Sequence, residues 1–201
     1  YWSMTHQPAL KSSKNYEVIF SQGHAEFRVR DKNFETKTEI VVSSENDIEM
    51  RRVRIKNKSR SRKVLTVTSY AEVVLTAAAA DTIHPAFSNL FVQTEIVDRY
   101  KSIICTRRPR SLEEQTPWMF HLMKAHGVEI ESISYETDRM KFIGRGNSIN
   151  YPDAIKNPGN LSNTQGSVLD PVVAIRYRIA LDPDQTATMD LFFGMAETRE
   201  V

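Results

Sequence analysis

The segment YETDR, from Tyr135 to Arg139, combines an aromatic ring with two carboxylates and one guanidinium. Because carboxylates accept and arginine donates hydrogen bonds, such a group can bind the hydroxyls of a sugar. It can also form an internal ion-pair cluster, and we favour this alternative because structural ion pairs are commoner than binding sites. Glu136 and Asp138 lie two apart on one strand end, so they point the same way and do not flank a substrate. We therefore predict no catalytic residue here, and keep as substrate-binding candidates Tyr135, Glu136, Asp138 and Arg139.

A second polar group precedes a tryptophan in the stretch CTRRPRSLEEQTPW. Its arginines, Arg107, Arg108 and Arg110, could hold phosphate, and Trp118 could stack on a sugar ring. The alternative is a solvated charged turn followed by a core tryptophan. We keep Arg108 and Trp118 as substrate-binding candidates.

Arg145, in the stretch FIGRG, is a further candidate for substrate binding. The glycines beside it match neither the dinucleotide nor the phosphate-loop spacing, so a turn is the simpler interpretation.

The remaining reactive side chains form no metal or nucleophile motif. The five histidines are scattered, and no HExxH or cysteine–histidine set occurs. His121 and His126 are five apart, and a strand followed by a turn would point them apart. Cys105 lies in an apolar strand and is expected to be a buried small side chain. We expect no metal and no cofactor.

Size and charge limit the classes of function. With 201 residues the chain can form one sizeable domain, and a net charge of +2 argues against a nucleic-acid partner. No apolar run approaches about 20 residues, so we expect no membrane contact. A lone cysteine fits a reducing compartment and predicts a cytoplasmic location. The initial Tyr1 suggests a segment of a longer protein.

Alternation of apolar and polar residues runs through most of the chain and is typical of antiparallel strands with one buried face. It is seen in residues 24–30, 34–42, 173–181 and 186–195. In the third of these, Arg176 and Arg178 are expected to face solvent. Residues 48–57 change phase at Arg51-Arg52, which predicts a β-bulge there. The sequence thus predicts an all-β protein, an antiparallel β-sandwich formed by one domain over residues 1–201.

Two stretches depart from the alternation. Residues 66–75 are apolar or β-branched on both sides, which predicts a central strand covered by another layer or a long loop. After a crossing at 77–81, HPAFSNL can form one helical turn because proline is tolerated in the first turn. The glycine- and asparagine-rich stretch from Tyr135 to Gly166 predicts one long loop, of a kind that is often functional.

Nine stretches occur in an order that is familiar: YWSMTHQP, EVIFSQGHAEF, IEMRRVRIKNKS, VTSYAEVVL, HPAFSNLFVQTE, RRPR, ETDR, FIGRG and VLDPV. Together they resemble the N-terminal β-sandwich of the cellobiose and chitobiose phosphorylase family, and within it the matching region of bacterial cyclic β-1,2-glucan synthases. The likeness covers nearly the whole chain. It implies a supersandwich, which is similar to the galactose-mutarotase-like fold.

The resemblance also implies a function. In that family the sandwich precedes an (α/α) barrel, and this barrel carries the catalytic acid. The sandwich itself takes part in dimer contacts and lends loops to the substrate cleft. It implies a non-catalytic module whose partners are β-glucan or another oligosaccharide, the catalytic barrel of the same chain and a second protomer. The parent protein would be a glycosyltransferase or glycoside phosphorylase, anchored in the bacterial inner membrane if it is a synthase. The alternatives are a stand-alone carbohydrate-binding module and a mutarotase-like sugar enzyme, the latter resting on fold analogy alone.

Overall fold

Antiparallel strands dominate the part of the chain that this computed structural model describes, residues 1–13, 15–109, 111 and 114–199. The strands are β1 (Asn15–Ser21), β2 (His24–Asp31), β3 (Phe34–Val42), β4 (Ile48–Asn57), β5 (Lys63–Thr68), β6 (Ala71–Glu72), β7 (Val92–Val97), β8 (Ser102–Arg107), β9 (Trp118–His126), β10 (Glu129–Asp138), β11 (Pro171–Leu181) and β12 (Thr186–Ala196). The short helices are α1 (Ala78–Ile83), α2 (Pro85–Asn89), α3 (Arg139–Ile143) and α4 (Asp153–Lys156), with a 3-10 turn at Asp98–Tyr100.

Within those residues the strands form a large and a small sheet. The large sheet has eight strands in the order β1-β2-β3-β4-β12-β9-β8-β7, and the small one has the order β10-β11-β5, with β6 also paired to β11. Apolar side chains of both sheets form one core, which includes Ile55, Met123, Ile175, Ile179 and Met189. The predicted antiparallel β-sandwich is confirmed, because β11 of the small sheet and β12 of the large sheet turn the apolar sides of their alternating segments to this shared core.

The predicted bulge in β4 is wrong. β4 pairs with β3 and with β12 residue by residue, without a shift in register at Arg51-Arg52. Val53 and Ile55 point into the core, whereas Met50 lies on the outer face, opposite Phe192 of β12. The outer face of the large sheet carries apolar side chains of its own here, so the change of phase needs no extra residue.

The small sheet is covered on its outer face by residues 139–170, which we call the connection. Phe142 and Ile143 of α3 pack with Ala154 and Leu161 against Ala174 of β11 and form a second core cluster. The covering layer predicted for residues 66–75 is therefore present. The central position predicted for this strand is wrong, because β5 lies at the edge of the small sheet and β11 is its middle strand. The strand predicted for residues 66–75 is interrupted, since β5 ends at Thr68 and only β6 follows. The predicted loop also begins later than Tyr135, because β10 extends to Asp138 and two helices follow.

The prediction that Arg176 faces solvent is wrong, because the connection covers this side chain. It is 2% exposed. Its guanidinium donates to the carbonyl oxygens of Gly159 at 2.7 Å and Ala154 at 2.6 Å, and to the Thr68 hydroxyl at 3.0 Å. Burial lowers the pKa of Arg176. An alternating pattern predicts which face a residue is on, but not that a distant segment covers that face.

The crossing between the sheets, residues 77–91, consists of α1 and α2. Pro85 occupies the first turn of α2, as predicted. In α1, all residues of which are described, no side chain is buried. The crossing therefore leaves apolar side chains in solvent: Ile83 is 66% exposed and Phe87 is 55% exposed.

Hydrogen bonds made by buried side chains link the two sheets through the core. The Tyr177 hydroxyl of β11 donates to the carbonyl oxygen of Met123 in β9 at 2.6 Å. Ser69, just after β5, lies with its Oγ 2.6 Å from Nε2 of His121 in β9. His121 faces inward and His126 outward, so they point apart as expected. Cys105 is buried in β8, which confirms its prediction as a core side chain.

Candidate functional site

The first two residues of the YETDR segment are held by internal hydrogen bonds. The Tyr135 hydroxyl donates to Asp98 at 2.9 Å, and its backbone N–H donates to Asn163 at 2.8 Å. Burial, together with Asp98, raises the pKa of Tyr135, so its hydroxyl stays protonated at neutral pH. In this structure Tyr135 anchors the connection to the sandwich, and sugar contact by it stays a prediction.

Glu136 is 2% exposed, and its carboxylate accepts several bonds. One oxygen accepts from the backbone N–H groups of Thr137 at 3.0 Å and Asp138 at 3.1 Å. The other accepts from the backbone N–H of Ser162 at 3.4 Å and from the Ser162 hydroxyl. These donors are neutral, so Glu136 is held by hydrogen bonds and not by the ion pair that the favoured alternative describes. Substrate contact by Glu136 remains a prediction.

The last two residues of the segment lead out to the surface. Asp138 caps α3, because its side chain accepts from the backbone N–H of Met140 at 2.9 Å. Arg139 is half-buried, with Nε 3.2 Å from Glu72 and a terminal nitrogen 3.6 Å from Asp170. Of the YETDR residues, Arg139 lines a surface pocket.

This pocket lies where the crossing meets the two ends of the connection, and we call it the crossing pocket. Its volume is about 480 Å³. It is lined by Glu72, Val73, Val74, Asp81, Pro85, Ala86, Asn89, Arg139, Leu169, Asp170 and Pro171. Three carboxylates, one amide and one guanidinium thus share a concave surface with an apolar rim, a composition suited to sugar hydroxyls and the apolar faces of a sugar ring.

Hydrogen bonds fix the polar groups of the crossing pocket. Asn89 donates to Asp170 at 3.1 Å, which ties α2 to the end of the connection. The Tyr70 hydroxyl donates to Glu72 at 3.2 Å. Burial, then the Glu72 charge, raises the pKa of Tyr70, so this donor stays protonated at neutral pH. The pocket therefore presents acceptors whose orientation is set before a ligand arrives.

The other predicted site residues lie elsewhere. Arg108 donates to the carbonyl oxygen of Leu90 at 3.0 Å and lies 5.8 Å from the ring of Phe91, so it contacts the end of the crossing. Trp118 is half-buried on the outer face of the large sheet, with Arg199 5.9 Å from its ring. Arg145 is exposed in the turn after α3. None of these three described residues lines the crossing pocket, and Arg110 lies outside the described residues.

The sequence motifs missed most of the crossing pocket. Glu72, Asp81, Asn89 and Asp170 come from four separate elements, and Asp170 is about a hundred residues from Glu72 in the chain. Only the strand order brings them together, so no local spacing could have predicted the set. The available signal was the VLDPV motif, which contains Asp170 and whose proline begins β11.

A different group of side chains has ligand types that suit a metal ion: His24, Glu26 and Glu39 on the outer face of the large sheet. Lys37 lies among them, with Nζ 3.1 Å from each of the two carboxylates. Its hydrogen bond holds the pKa of Glu26 below the ordinary value. The lysine supplies the positive charge here, so we assign an ion-pair network and not a metal site.

A family model identifies the class of protein. The family model described as "Glycosyl hydrolase 94, supersandwich domain" matches residues 1–201. The chain belongs to this family of carbohydrate-active enzyme domains, and the resemblance predicted from the nine motifs is confirmed.

One relative is similar over nearly the whole chain. The chain is 33% identical over 196 residues to "Cyclic beta-(1,2)-glucan synthase NdvB" of Rhizobium meliloti, an alignment that covers 98% of this chain and 7% of that protein. The chain thus spans a small part of the length of its relative. Among the described residues, no helix is both long enough and apolar enough to cross a membrane.

Two solved structures are similar to the chain at much lower sequence identity. The Slr1438 protein of Synechocystis sp. PCC 6803 has a TM-score of 0.48 at 7% identity, covering 91% of this chain and 66% of that one. A putative aldose 1-epimerase of Klebsiella pneumoniae has a TM-score of 0.36 at 10% identity, covering 90% and 53%. Structural similarity at this level does not indicate a function.

Proposed function

We propose that residues 1–201 form one non-catalytic β-sandwich domain of a larger glycoside phosphorylase or cyclic β-1,2-glucan synthase. It supports a catalytic (α/α) barrel of the same chain and contributes to dimer contacts and to the glucan-binding cleft. Family membership and the small share of the relative that the chain spans support this proposal. This domain would lie in the cytoplasm. If the parent protein is a synthase, that parent would be anchored in the inner membrane.

The exposed crossing is the observation that carries the proposal. Helices as short as α1 and α2 are unstable alone and need tertiary contacts. Yet α1 buries none of its side chains, and Ile83, Phe87 and Leu90 are all exposed. Exposed apolar side chains grouped on one short segment mark an interaction surface. We assign this surface to the neighbouring barrel or protomer.

We assign the glucan-binding part of the proposal to the crossing pocket. It lies at the crossing itself, beside the surface assigned to the neighbouring domain. A glucan chain held between the two domains would meet Asp81, Asn89 and Asp170 on this side. Its affinity for the sandwich alone is expected to be low, because half of such a cleft would belong to the barrel.

An activity assay tests the non-catalytic assignment. The purified chain is incubated with β-1,2-glucan oligomers and inorganic phosphate, and release of sugar phosphate is measured. We expect no turnover above the protein-free rate. Phosphorolysis by this chain alone would refute the proposal.

Calorimetric titration with β-1,2-glucan oligomers separates a supporting domain from a stand-alone carbohydrate-binding module. We expect a Kd above about 1 mM for the chain. Asp81→Asn in the crossing pocket should weaken any measured binding, whereas Asp47→Asn, an exposed aspartate outside the pocket, should not. Sub-millimolar binding that Asp81→Asn abolishes would favour the stand-alone module.

A further inference from the structure

The two edges of the large sheet differ in what covers them. At one edge β7 is covered, because Thr94 and Gly166 exchange backbone hydrogen bonds of 3.0 and 2.8 Å and the Ile96 backbone N–H donates to Gln165. At the other edge β1 pairs with β2 and, among the described residues, with no other strand. An uncovered edge strand presents a row of unpaired backbone groups, so it is a template for another strand.

The hairpin between β1 and β2 determines which backbone groups face this open edge. Its turn, Gln22-Gly23, has two residues, so the closing pair of Ser21 and His24 is hydrogen-bonded. Hydrogen-bonded pairs recur at every second residue, so the odd-numbered residues of β1 bond to β2. The backbone N–H and C=O groups that point to the open edge are therefore those of Tyr16, Val18 and Phe20.

The same three residues form an apolar face of β1. Side chains alternate along a strand, so all three lie on the face that carries Phe27 in β2. Val18 is half-buried, whereas Tyr16 is 43% exposed and Phe20 is 77% exposed. Charges, prolines and bulges normally protect an edge strand. β1 has no proline and no shift in register, and its one charged residue, Glu17, lies on the other face.

We propose that β1 pairs with β1 of a second copy of this chain. The two strands run antiparallel about a two-fold axis at Val18, so that two large sheets join into one. In this register Val18 lies opposite its own counterpart, and Tyr16 of each copy lies opposite Phe20 of the other. Every backbone group that points to the open edge then has a partner.

The side chains of β1 select this register. An axis at Glu17 would place two carboxylates directly opposite each other, which is unfavourable. An axis at Ile19 would leave Tyr16 opposite the turn residue Gln22. The axis at Val18 pairs the three outward-facing residues with one another, and aromatic cross-strand pairs stabilise a sheet. The strand is thus complementary to itself, which is the requirement of a two-fold contact between identical copies.

This inference rests on the proposed function in one respect, the presence of a dimer contact. It assigns that contact to β1, on the opposite edge of the large sheet from β7, and leaves the exposed crossing to the catalytic barrel. A strand of seven residues buries less area than a standard interface. We therefore expect a weak dimer, with a Kd of about 10–100 μM for the isolated chain.

Sedimentation equilibrium of the 201-residue chain tests the pairing. The mass should rise from 23.1 kDa towards twice that value as the concentration is raised through the expected Kd. Val18→Glu and Val18→Lys each place like charges opposite each other at the axis, so each should weaken the dimer at least about tenfold. An equal mixture of these two variants should regain the dimer, because a two-fold axis at this position places Glu opposite Lys.

Two controls distinguish this contact from other surfaces. Val42→Lys introduces the same charge at a 67% exposed valine of β3 and should leave the dimer intact. Phe87→Lys, in the crossing, should also leave it intact. The inference is overturned if the unaltered chain stays at 23.1 kDa up to about 1 mM, or if the mixture of the two Val18 variants stays monomeric. A dimer that Phe87→Lys abolishes and Val18→Glu does not would also overturn it, while the dimer contact of the proposed function would stand.

Discussion

Acidification should destabilise this protein through His121, whose imidazole links the two sheets. The side chain is fully buried in β9. Its Nδ1 lies 3.1 Å from the carbonyl oxygen of Phe192, which can only accept, so this nitrogen carries the proton and donates. Nε2 is then an acceptor for the Ser69 hydroxyl at 2.6 Å. A second proton on the ring would remove this acceptor and place a charge in the core.

The magnitude follows from the shift in pKa. Burial lowers the pKa of His121 from 6.5 to about 4. Because the folded pKa is the lower one, the unfolded chain binds the proton first. The contribution of the neutral ring is therefore complete above pH 6.5 and is lost as the pH falls to about 4 and below. The difference between these two pKa values corresponds to about 3 kcal/mol of stability.

Urea unfolding between pH 7.5 and pH 4 measures this loss. Buried and ion-paired carboxylates also weaken the fold in acid, so the useful quantity is the difference between the chain and His121→Gln. The free energy of unfolding of the unaltered chain should fall by about 3 kcal/mol more than that of the variant. The control is His84→Gln, which removes an exposed histidine of the crossing and leaves His121 in place, so the larger fall should remain. Parallel pH profiles for the chain and His121→Gln would refute the reasoning.

Three further outcomes are expected. A Cβ on Gly194 would lie 2.5 Å from the ring of Phe120. Gly194→Ala should therefore lower the free energy of unfolding in urea by about 1–3 kcal/mol. Adding Phe120→Leu should restore part of this free energy in the same titration. Glu136→Ala leaves three backbone N–H groups without an acceptor, which should cost about 2–3 kcal/mol and raise hydrogen exchange at Ser162, while exchange in β12 stays slow. Burial raises the pKa of Cys105 to about 12, so a thiol reagent at pH 8 should modify it only at the rate of unfolding; rapid modification in native buffer would contradict the structure.

The strands were predictable because their signal is local. Alternation along β2, β3, β11 and β12 needs no knowledge of the partner strand, and each of these segments is a strand in the structure. The helical turn at Pro85 was predictable for the same reason, since proline fixes its own backbone. The errors occurred where a residue's environment is set by another layer, as at Arg176 beneath the connection.

β4 shows a second limit of local patterns. A change of phase from Met50 to Val53 indicates a bulge only if apolar residues must point to a single core. The outer face of the large sheet also carries apolar side chains, with Met50 opposite Phe192 and Phe120 packed on Gly194. The alternation then continues through β4 without interruption, and the apolar residues simply serve two faces.

The candidate site depends still more on long-range structure. The composition of the YETDR segment suggested a sugar site, yet two of its charged groups are used within the fold: Glu136 holds the connection and Asp138 caps α3. Only Arg139 reaches the crossing pocket, where it meets acids contributed by β6 and by the end of the connection. Composition identifies groups able to bind a sugar, but strand order decides which of them face a ligand and which stabilise the fold.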